Sequence, residues 1–355
     1  MTGAIIESRP PLPSFAEAAP MATNVTLEEV ARLAGVSTST VSRYLSGTHA
    51  VSAEKKAAID DSIQQLNYRP NLVARGLAKG RSMTVGVMTQ EILSSFFNEA
   101  MRGVEDGLIG HNYEAIFVSG HWDPADESRR LASLLGRGVD GVVLIMSGLT
   151  DDVLERHANG MPTVLMGGHT KARHVHSLGF DHYDGACRAV RHLVELGHQR
   201  IAFISGPSDR LDADERHRAY RDTLAQAGIA YDDQLIASGN YVAPGGVTAM
   251  NILLDRGRPF TAVFAANDDS AYGAMLALHR RGIVVPRDIS LVGYDDLPHS
   301  SYCIPPLTSV HQPLRELGRE AANAIVALIE GRRPPRSALA RLDLIVRESS
   351  RALPA

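Results

Sequence analysis

The chain has 355 residues, a length that suits two or three domains rather than one. Its 44% hydrophobic and 21% charged residues are typical of a globular protein, and the net charge of −4 excludes a chain that is basic throughout. Two distant cysteines argue against a disulfide framework, and no apolar run reaches the roughly 20 residues that span a bilayer.

Residues 1–23 are predicted to be a disordered extension. They hold four prolines and lack the apolar core of a signal peptide. We therefore expect a cytoplasmic protein, in keeping with the sparse cysteines. Whether Met21 is the true start stays open.

Residues 26–45, TLEEVARLAGVSTSTVSRYL, predict two short helices joined by a tight turn. Gly35 can adopt the positive φ that ends the first helix, and Ser37 is placed to cap the second. The first helix has one apolar face, formed by Leu27, Val30, Ala31 and Ala34. The outer face of the second helix carries hydroxyls and one arginine, namely Thr38, Ser39, Thr40, Ser42 and Arg43.

This outer face suits a helix that enters the DNA major groove, although an ordinary helical hairpin can have the same turn. A third helix is predicted over AEKKAAIDDSIQQLNY, capped by Ser52. Its inward residues are Ile59, Ile63 and Leu66. Residues 24–82 hold eight Lys/Arg against five Asp/Glu, and the remainder of the chain is acidic. A basic end on an acidic body favours phosphate contact by that end alone.

The next segment, LVARGLA after Pro70, predicts a helix of only two turns that contains Gly76. Such a helix is marginal alone and would fold on binding a partner. A plain linker is the alternative interpretation.

From Thr84 onward, short β-rich runs alternate with helical periodicity, which predicts βαβ units and parallel sheets. The runs are TVGVMT, YEAIFVS, GVVLIM, TVLM, RIAFI, TAVFAA and ISLVGY. Ligands of such sheets bind beyond the carboxyl ends of the strands.

Several side chains follow these strands and are candidates for holding a small polar ligand. Phe96 and Phe97 offer rings that would stack on a sugar or a base, or would pack as ordinary helix residues. Asn267 and Asp295 offer hydrogen bonds to hydroxyl groups, whereas helix capping is the competing role for the acidic residues that follow Asn267. Asp181 after HSLGF is a further candidate.

The sequence carries no catalytic signature. It lacks the G-x-G-x-x-G, G-x-x-x-x-G-K-[ST] and G-x-S-x-G motifs. The neighbouring Asp295 and Asp296 would point to opposite sides of an extended strand, and His174 and His176 lack partners at metal-ligand spacing. We expect no enzyme activity, no cofactor and no metal.

Several long segments follow one another in a recognisable order. They are TLEEVARLAGVSTSTVSRYLSG, VSAEKKAAIDDSIQQLNYRPNLVARGLAKGRS, TVGVMT, LVELGHQRIAFISGP and TAVFAANDDSAYGAMLALHRRGIVVPRDISLVGYDDLPHSSYCIPPLTSV. In this order the chain resembles the lactose repressor–galactose repressor family of bacterial transcription regulators, over nearly everything after Thr26.

The resemblance implies an all-α helix-turn-helix head over 24–69, a hinge helix or linker over 70–82, and an effector-binding and dimerisation domain over 83–355. That domain is expected to be a two-lobed, periplasmic-binding-protein-like (type I) α/β core with parallel sheets. Lobe one would comprise about 83–182 and 312–341, and lobe two about 183–311 and 342–355.

The resemblance also implies roles for single residues. Leu77 of the hinge would wedge into the minor groove, and Arg216, with Arg218 as the nearby alternative, would clasp the effector. The DNA-binding set is Thr26, Thr38, Ser39, Thr40, Ser42, Arg43, Asn71, Ala74 and Leu77. The effector-binding set is Phe96, Phe97, Asp181, Arg216, Tyr241, Asn267 and Asp295. Gly167 and Gly168 depart from the family, where many members carry a ligand-touching side chain.

We therefore expect a homodimeric regulator, with a repressor favoured, that binds a pseudo-palindromic operator under control of a small metabolite. A sugar is favoured over a purine as effector, and the sign of the control stays open. A sugar-binding transport-type protein without DNA function is the alternative.

Overall fold

The computed structural model describes residues 25–45, 51–68, 80–335 and 339–353. These fall into two compact units, one up to residue 80 and one from residue 81 onward. The predicted extension over 1–23 and most of the predicted hinge, with Asn71, Ala74 and Leu77, lie outside the described residues. Their predictions, like the exact domain limits, stay predictions.

The first unit contains three helices, α1 (Leu27–Leu33), α2 (Thr38–Leu45) and α3 (Ala53–Gln65). They pack around a small buried core of Val30, Ala31, Val41 and Ile59. The predicted turn between the first two helices is confirmed, since Gly35 has a φ of +63°.

Two details of α3 correct the sequence-based prediction. The helix ends at Gln65, before the predicted end at residue 68, because Asn67 takes a φ of +47° that a helix cannot continue through. Ser52 precedes the first helical residue, but its side chain makes no capping hydrogen bond. Ile59, which is fully buried, packs this helix into the small core.

The second unit begins with a sheet of five parallel strands in the order β2-β1-β3-β4-β5. The strands are β1 (Thr84–Thr89), β2 (Glu114–Ser119), β3 (Gly141–Ile145), β4 (Thr163–Met166) and β5 (Val175–Leu178). The helices between them are α4 (Ser95–Ile109), α5 (Pro124–Gly136) and α6 (Asp151–Ala158). The long buried runs of β1, β3 and β4 explain why periodicity located these strands.

A second sheet has the strand order β11-β10-β9-β8-β6-β7. Its strands are β6 (Ile201–Ser205), β7 (Ile236–Ser238), β8 (Ala262–Ala265), β9 (Ser290–Asp295), β10 (Thr308–His311) and β11 (Asp343–Ile345). The helices are α7 (His182–Glu195), α8 (Leu211–Gln226), α9 (Ala243–Asp255) and α10 (Asp268–Arg280), followed by α11 (Leu314–Ile329). Adjacent strands run parallel except β10 and β11, which pair antiparallel.

The chain passes between the two sheets more than once. It leaves the first sheet after Leu178, returns after His311 to pack α11 on α4, and passes again before Asp343. An isolated parallel bridge joins Phe180 to Ala340 where two of these passages run side by side. The carboxyl ends of strands from both sheets therefore flank the linking segments. The predicted fold class, an all-α head followed by parallel α/β sheets, is confirmed.

No helix among the described residues is both long enough and apolar enough to cross a membrane.

Candidate functional site

The outer face of α2 is held in place by its own first turn. The Ser37 hydroxyl accepts a hydrogen bond from the Thr40 backbone N–H at 3.3 Å, which is the predicted cap. It also bonds to the hydroxyls of Ser39 and Thr40, at 2.9 and 2.8 Å. Arg43 donates from Nε to the Ser39 carbonyl at 3.1 Å, so its guanidinium lies along the same face.

The predicted DNA-reading residues of α2 differ in exposure. Thr38, Ser39, Ser42 and Arg43 are exposed, whereas Thr40 is half-buried by the hydroxyl cluster. A face of small hydroxyls and one guanidinium can reach base edges and phosphates without steric conflict.

Thr26, also in the predicted DNA-binding set, has a structural role in the first unit. Its hydroxyl accepts from the Glu29 N–H at 3.3 Å, and the Glu29 carboxylate accepts from the Thr26 N–H at 2.8 Å. This reciprocal capping box satisfies two N–H groups at the start of α1. The hydrogen bond to Thr26 also holds the pKa of the Glu29 carboxyl below its usual range.

In the second unit, Arg216 of α8 lies at the centre of a buried polar cluster. Its side chain is almost fully buried, and Nη1 donates to the Ala266 carbonyl at 2.6 Å, just beyond β8. The guanidinium carbon lies 3.9 Å from the centre of the Tyr294 ring. Burial opposes the charge of Arg216, but neighbouring tyrosines and carboxyls raise its pKa above the ordinary value, so the arginine stays cationic.

Two carboxyl groups flank this arginine. Asp212, one turn earlier on α8, lies 3.5 Å from Nη2, and Asp295 at the end of β9 lies 3.8 Å from Nη1. Burial raises the pKa of Asp295 well above its usual range, although Arg216 and a 2.6 Å hydrogen bond from Gln312 oppose the rise. Burial also opposes ionisation of Asp212, but the charges of Arg216 and Arg210 hold its pKa below the usual range.

Tyr241 and Asn267 complete the wall around Arg216. The Tyr241 hydroxyl donates to Asp212 at 2.9 Å, and the Asn267 amide donates to the Tyr241 carbonyl at 3.0 Å. Asn267 also caps α10, since its side-chain oxygen accepts from the Ser270 N–H at 3.0 Å. Tyr241 and Asp295 have left-handed φ values of 60° and 113°, and strained backbone of this kind concentrates at ligand sites.

Some buried polar atoms of the cluster have no hydrogen-bond partner among the described residues. These are Arg216 Nε, His182 Nε2 and Gln312 Oε1. Burial, together with the charge of Arg216, lowers the pKa of His182 to about 3, so its ring is neutral at pH 7. Because unpaired buried donors and acceptors are costly, these three atoms are the ones in the cluster most in need of a further hydrogen-bond partner.

The remaining predicted effector residues lie elsewhere on the strand ends. Phe97 is buried at the start of α4, with Phe96 against it in an edge contact at 5.2 Å between ring centres. Asp181 caps α7 by accepting from the Asp184 N–H at 2.8 Å, so one carboxylate oxygen is already engaged.

Arg216, Tyr241, Asn267 and Asp295 all belong to the predicted effector set, and they lie together in the structure. The predicted set does not include Asp212, Trp122, Tyr294 and Gln312. Asp212 lies four residues before Arg216, and this spacing on a helix predicts an ion pair between the two side chains. No sequence pattern pointed to Gln312, because it lies in a linking segment outside the helices and strands.

Comparison with known proteins agrees with this geometry. The family model for bacterial regulatory proteins, lacI family, matches residues 26–71, and that for the periplasmic binding protein-like domain matches residues 190–350. The HTH-type transcriptional regulator AscG of Escherichia coli (strain K12) is 34% identical over 312 residues, covering 86% of this chain and 92% of that protein.

The chain belongs to the lacI family.

Solved structures of lacI-family proteins extend the match. The lac repressor dimer bound to operator and the anti-inducer ONPF is 30% identical, with a TM-score of 0.84, and the match covers 93% of this chain and all of that one. A complex of the transcriptional regulator CelR with cellobiose is 35% identical, with a TM-score of 0.69, and the match covers 92% of this chain and 99% of that one. The resemblance seen in the sequence is confirmed, and with it the function of a DNA-binding transcription regulator. The relatives named are regulators rather than enzymes.

Proposed function

We propose that this lacI-family chain represses transcription as a homodimer, reads its operator with the outer face of α2, and senses a small polyhydroxylated ligand at Arg216. The observation that carries the DNA-reading role is the exposed hydroxyl-and-arginine face, held by the Ser37 cap. The predicted wedge Leu77 would act beside it in the minor groove.

Operator binding is tested by fluorescence anisotropy with duplexes selected from a randomised pseudo-palindromic library. We expect Arg43→Ala to weaken binding to the selected duplex about 5–150-fold, the range of one good base contact. Arg32→Ala is the matched control, because Arg32 is also exposed and its substitution removes the same charge from the same unit. It should change binding to selected and scrambled duplexes alike.

Two results would overturn the DNA-reading role. One is that the wild-type protein shows no salt-sensitive binding to any of the duplexes. The other is an equal loss of selectivity in the Arg43 and Arg32 variants.

The effector site is supported by the chemistry of the Arg216 cluster. A planar guanidinium between two carboxyl groups can bind adjacent hydroxyls of a sugar through charge-assisted hydrogen bonds. The Tyr241 ring offers a face within this cluster, since the Arg216 guanidinium carbon lies 5.3 Å from its centre. We favour a sugar over a purine, because each sugar hydroxyl can donate to a carboxyl group and accept from the guanidinium at the same time, whereas a purine nitrogen does only one of the two.

Effector binding is tested by thermal shift with monosaccharides, cellobiose and other disaccharides, sugar phosphates and purines. A ligand at 100 times its Kd should add ~2.7 kcal/mol of stability. Asp295→Asn should abolish that shift, whereas Asp343→Asn, a change at an exposed carboxylate on β11, should retain it. A shift with purines alone would overturn the sugar assignment.

A further inference from the structure

Trp122 occupies an unusual place for a large apolar side chain. It is the only tryptophan of the chain, it follows the carboxyl end of β2 in the first sheet, and it is 43% exposed. Neither Trp122 nor the preceding His121 is a glycine, yet their φ values are 59° and 53°. Left-handed backbone at two successive side-chain-bearing residues is costly and needs support from its surroundings.

That support comes from a buried glutamine. The side-chain oxygen of Gln90 accepts from the Trp122 N–H at 2.9 Å, and the Gln90 carbonyl accepts from the His121 N–H at 3.1 Å. The Gln90 amide is fixed in turn by donating to the Met146 carbonyl at 3.2 Å. The indole is therefore mounted rigidly on the strand ends of the first sheet, with Phe97 beside it at 5.7 Å between ring centres.

The partner of the indole lies in the segment between β6 of the second sheet and α8. Arg210, immediately before α8, places its guanidinium carbon 3.7 Å from the centre of the indole ring, which is close cation–π contact. The Arg210 side chain is only 20% exposed, and its Nε lies 3.5 Å from Asp212. Asp212 in turn contacts Arg216 and Tyr241, so the contact continues into the predicted effector cluster.

We propose that Trp122 and Arg210 form a clasp across the mouth of the cleft between the two lobes, and that this clasp stabilises the closed arrangement. The proposal rests on the proposed effector site, since that site lies behind the clasp. Ligand entry and release then require the indole and the guanidinium to separate. A ligand hydroxyl that engages Asp212 competes with Arg210 for the same carboxylate and so changes how tightly the clasp holds.

The clasp is tested by energy transfer from Trp122, which is the sole tryptophan donor, to a dansyl-type acceptor on Gln226→Cys. Gln226 is the last residue of α8, and this helix of 16 residues extends about 24 Å, a distance suited to such transfer. Cys303→Ser removes the half-buried thiol, and the remaining Cys187 is buried. The full chain is used without DNA or ligand.

We expect Arg210→Ala to raise the ratio of open to closed lobes about fivefold, the change that ~1 kcal/mol produces, and so to lower transfer. Arg210→Lys, which keeps a cation, should fall between Arg210→Ala and the wild type. The matched control is Arg218→Ala, because Arg218 makes a cation–π contact with Tyr183 at 4.8 Å within the second lobe alone. Its transfer should equal that of the wild type.

Unchanged transfer in Arg210→Ala would overturn the clasp, as would an equal decrease in Arg218→Ala. Either result would leave the operator-binding experiment unaffected, because that experiment depends on α2. Loss of operator binding with a working clasp would count against the proposed function alone.

Discussion

The crossing of α4 and α11 offers a sharp test of the packing against the first sheet. A Cβ atom on Gly103 of α4 would lie 2.9 Å from the Cα and carbonyl carbon of Arg315 on α11, and closer still to its carbonyl oxygen. Gly318 approaches the Ala100 carbonyl in the same manner from the other helix. Since the obstacle is backbone, no side-chain rotation can relieve an added methyl group.

Gly103→Ala therefore combines two opposed effects. Removing a helical glycine gains ~0.5–1 kcal/mol, whereas forcing extra volume into a tight contact costs ~1–3 kcal/mol or more. We expect a net loss of about 1–2 kcal/mol, because the helices must separate. Gly136→Ala is the matched control: Gly136 is the last residue of α5, nothing lies within 4 Å of its Cβ position, and a gain of ~0.5 kcal/mol is expected.

Urea unfolding followed by Trp122 fluorescence measures both variants, since the indole contacts Phe97 near the start of α4. The urea midpoint of Gly103→Ala should fall below that of the wild type at an unchanged slope, and that of Gly136→Ala should rise. If Gly103→Ala stabilises the protein as Gly136→Ala does, the helices are not in backbone contact and the reasoning fails.

Other predictions follow from the same structure. Arg216→Ala should lower the free energy of unfolding by about 3 kcal/mol, because it leaves buried carboxyl groups unpaired, whereas the exposed Arg218→Ala should cost under ~1 kcal/mol in the same urea titration. Thr26→Ala should destabilise the first unit by ~1 kcal/mol and weaken operator binding, and Thr26→Ser should restore both in melting and anisotropy assays; failure of the serine variant would assign Thr26 to DNA contact instead of capping. His182 has a folded-state pKa of about 3 against an ordinary 6.5, so its contribution to stability is full above pH 6.5 and is lost as the pH falls toward 3. Relative to His182→Gln, the wild type should lose ~1.4 kcal/mol per pH unit below about pH 6, and parallel pH profiles of the two proteins would contradict the neutral buried ring.

The sheets show which parts of a fold a single sequence can predict. The predicted runs TVGVMT and TVLM coincide with β1 and β4 to the residue, and both strands are almost wholly buried. β7 and β11 have only three residues each and lie at the edges of their sheet, where one partner strand suffices. Strands this short carry no measurable periodicity, so their place depends on tertiary contacts.

The residues of the site also differ in whether a local sequence pattern can predict them. Asn267 and Asp295 were predictable, because polar residues at the carboxyl ends of buried strands stand out against apolar neighbours. Tyr294 was not, since a tyrosine inside the run ISLVGY is most simply a core residue, and its role depends on Arg216 arriving from another element.

Residues at two of the segments that link the sheets contact the Arg216 cluster directly. Gln312 lies just after β10, where the chain returns to the first sheet, and its amide donates to Asp295 at 2.6 Å. His182 lies just after the outward passage, with Nδ1 3.4 Å from an Arg216 nitrogen. We therefore expect a ligand that moves Arg216 or Asp295 to shift Gln312 and His182, which adjoin two of the segments that link the sheets. Because the coupling passes through single hydrogen bonds, Gln312→Leu should reduce the change in operator affinity that a saturating effector produces. Anisotropy with and without saturating ligand measures that change, and thermal shift measures any loss of effector affinity separately.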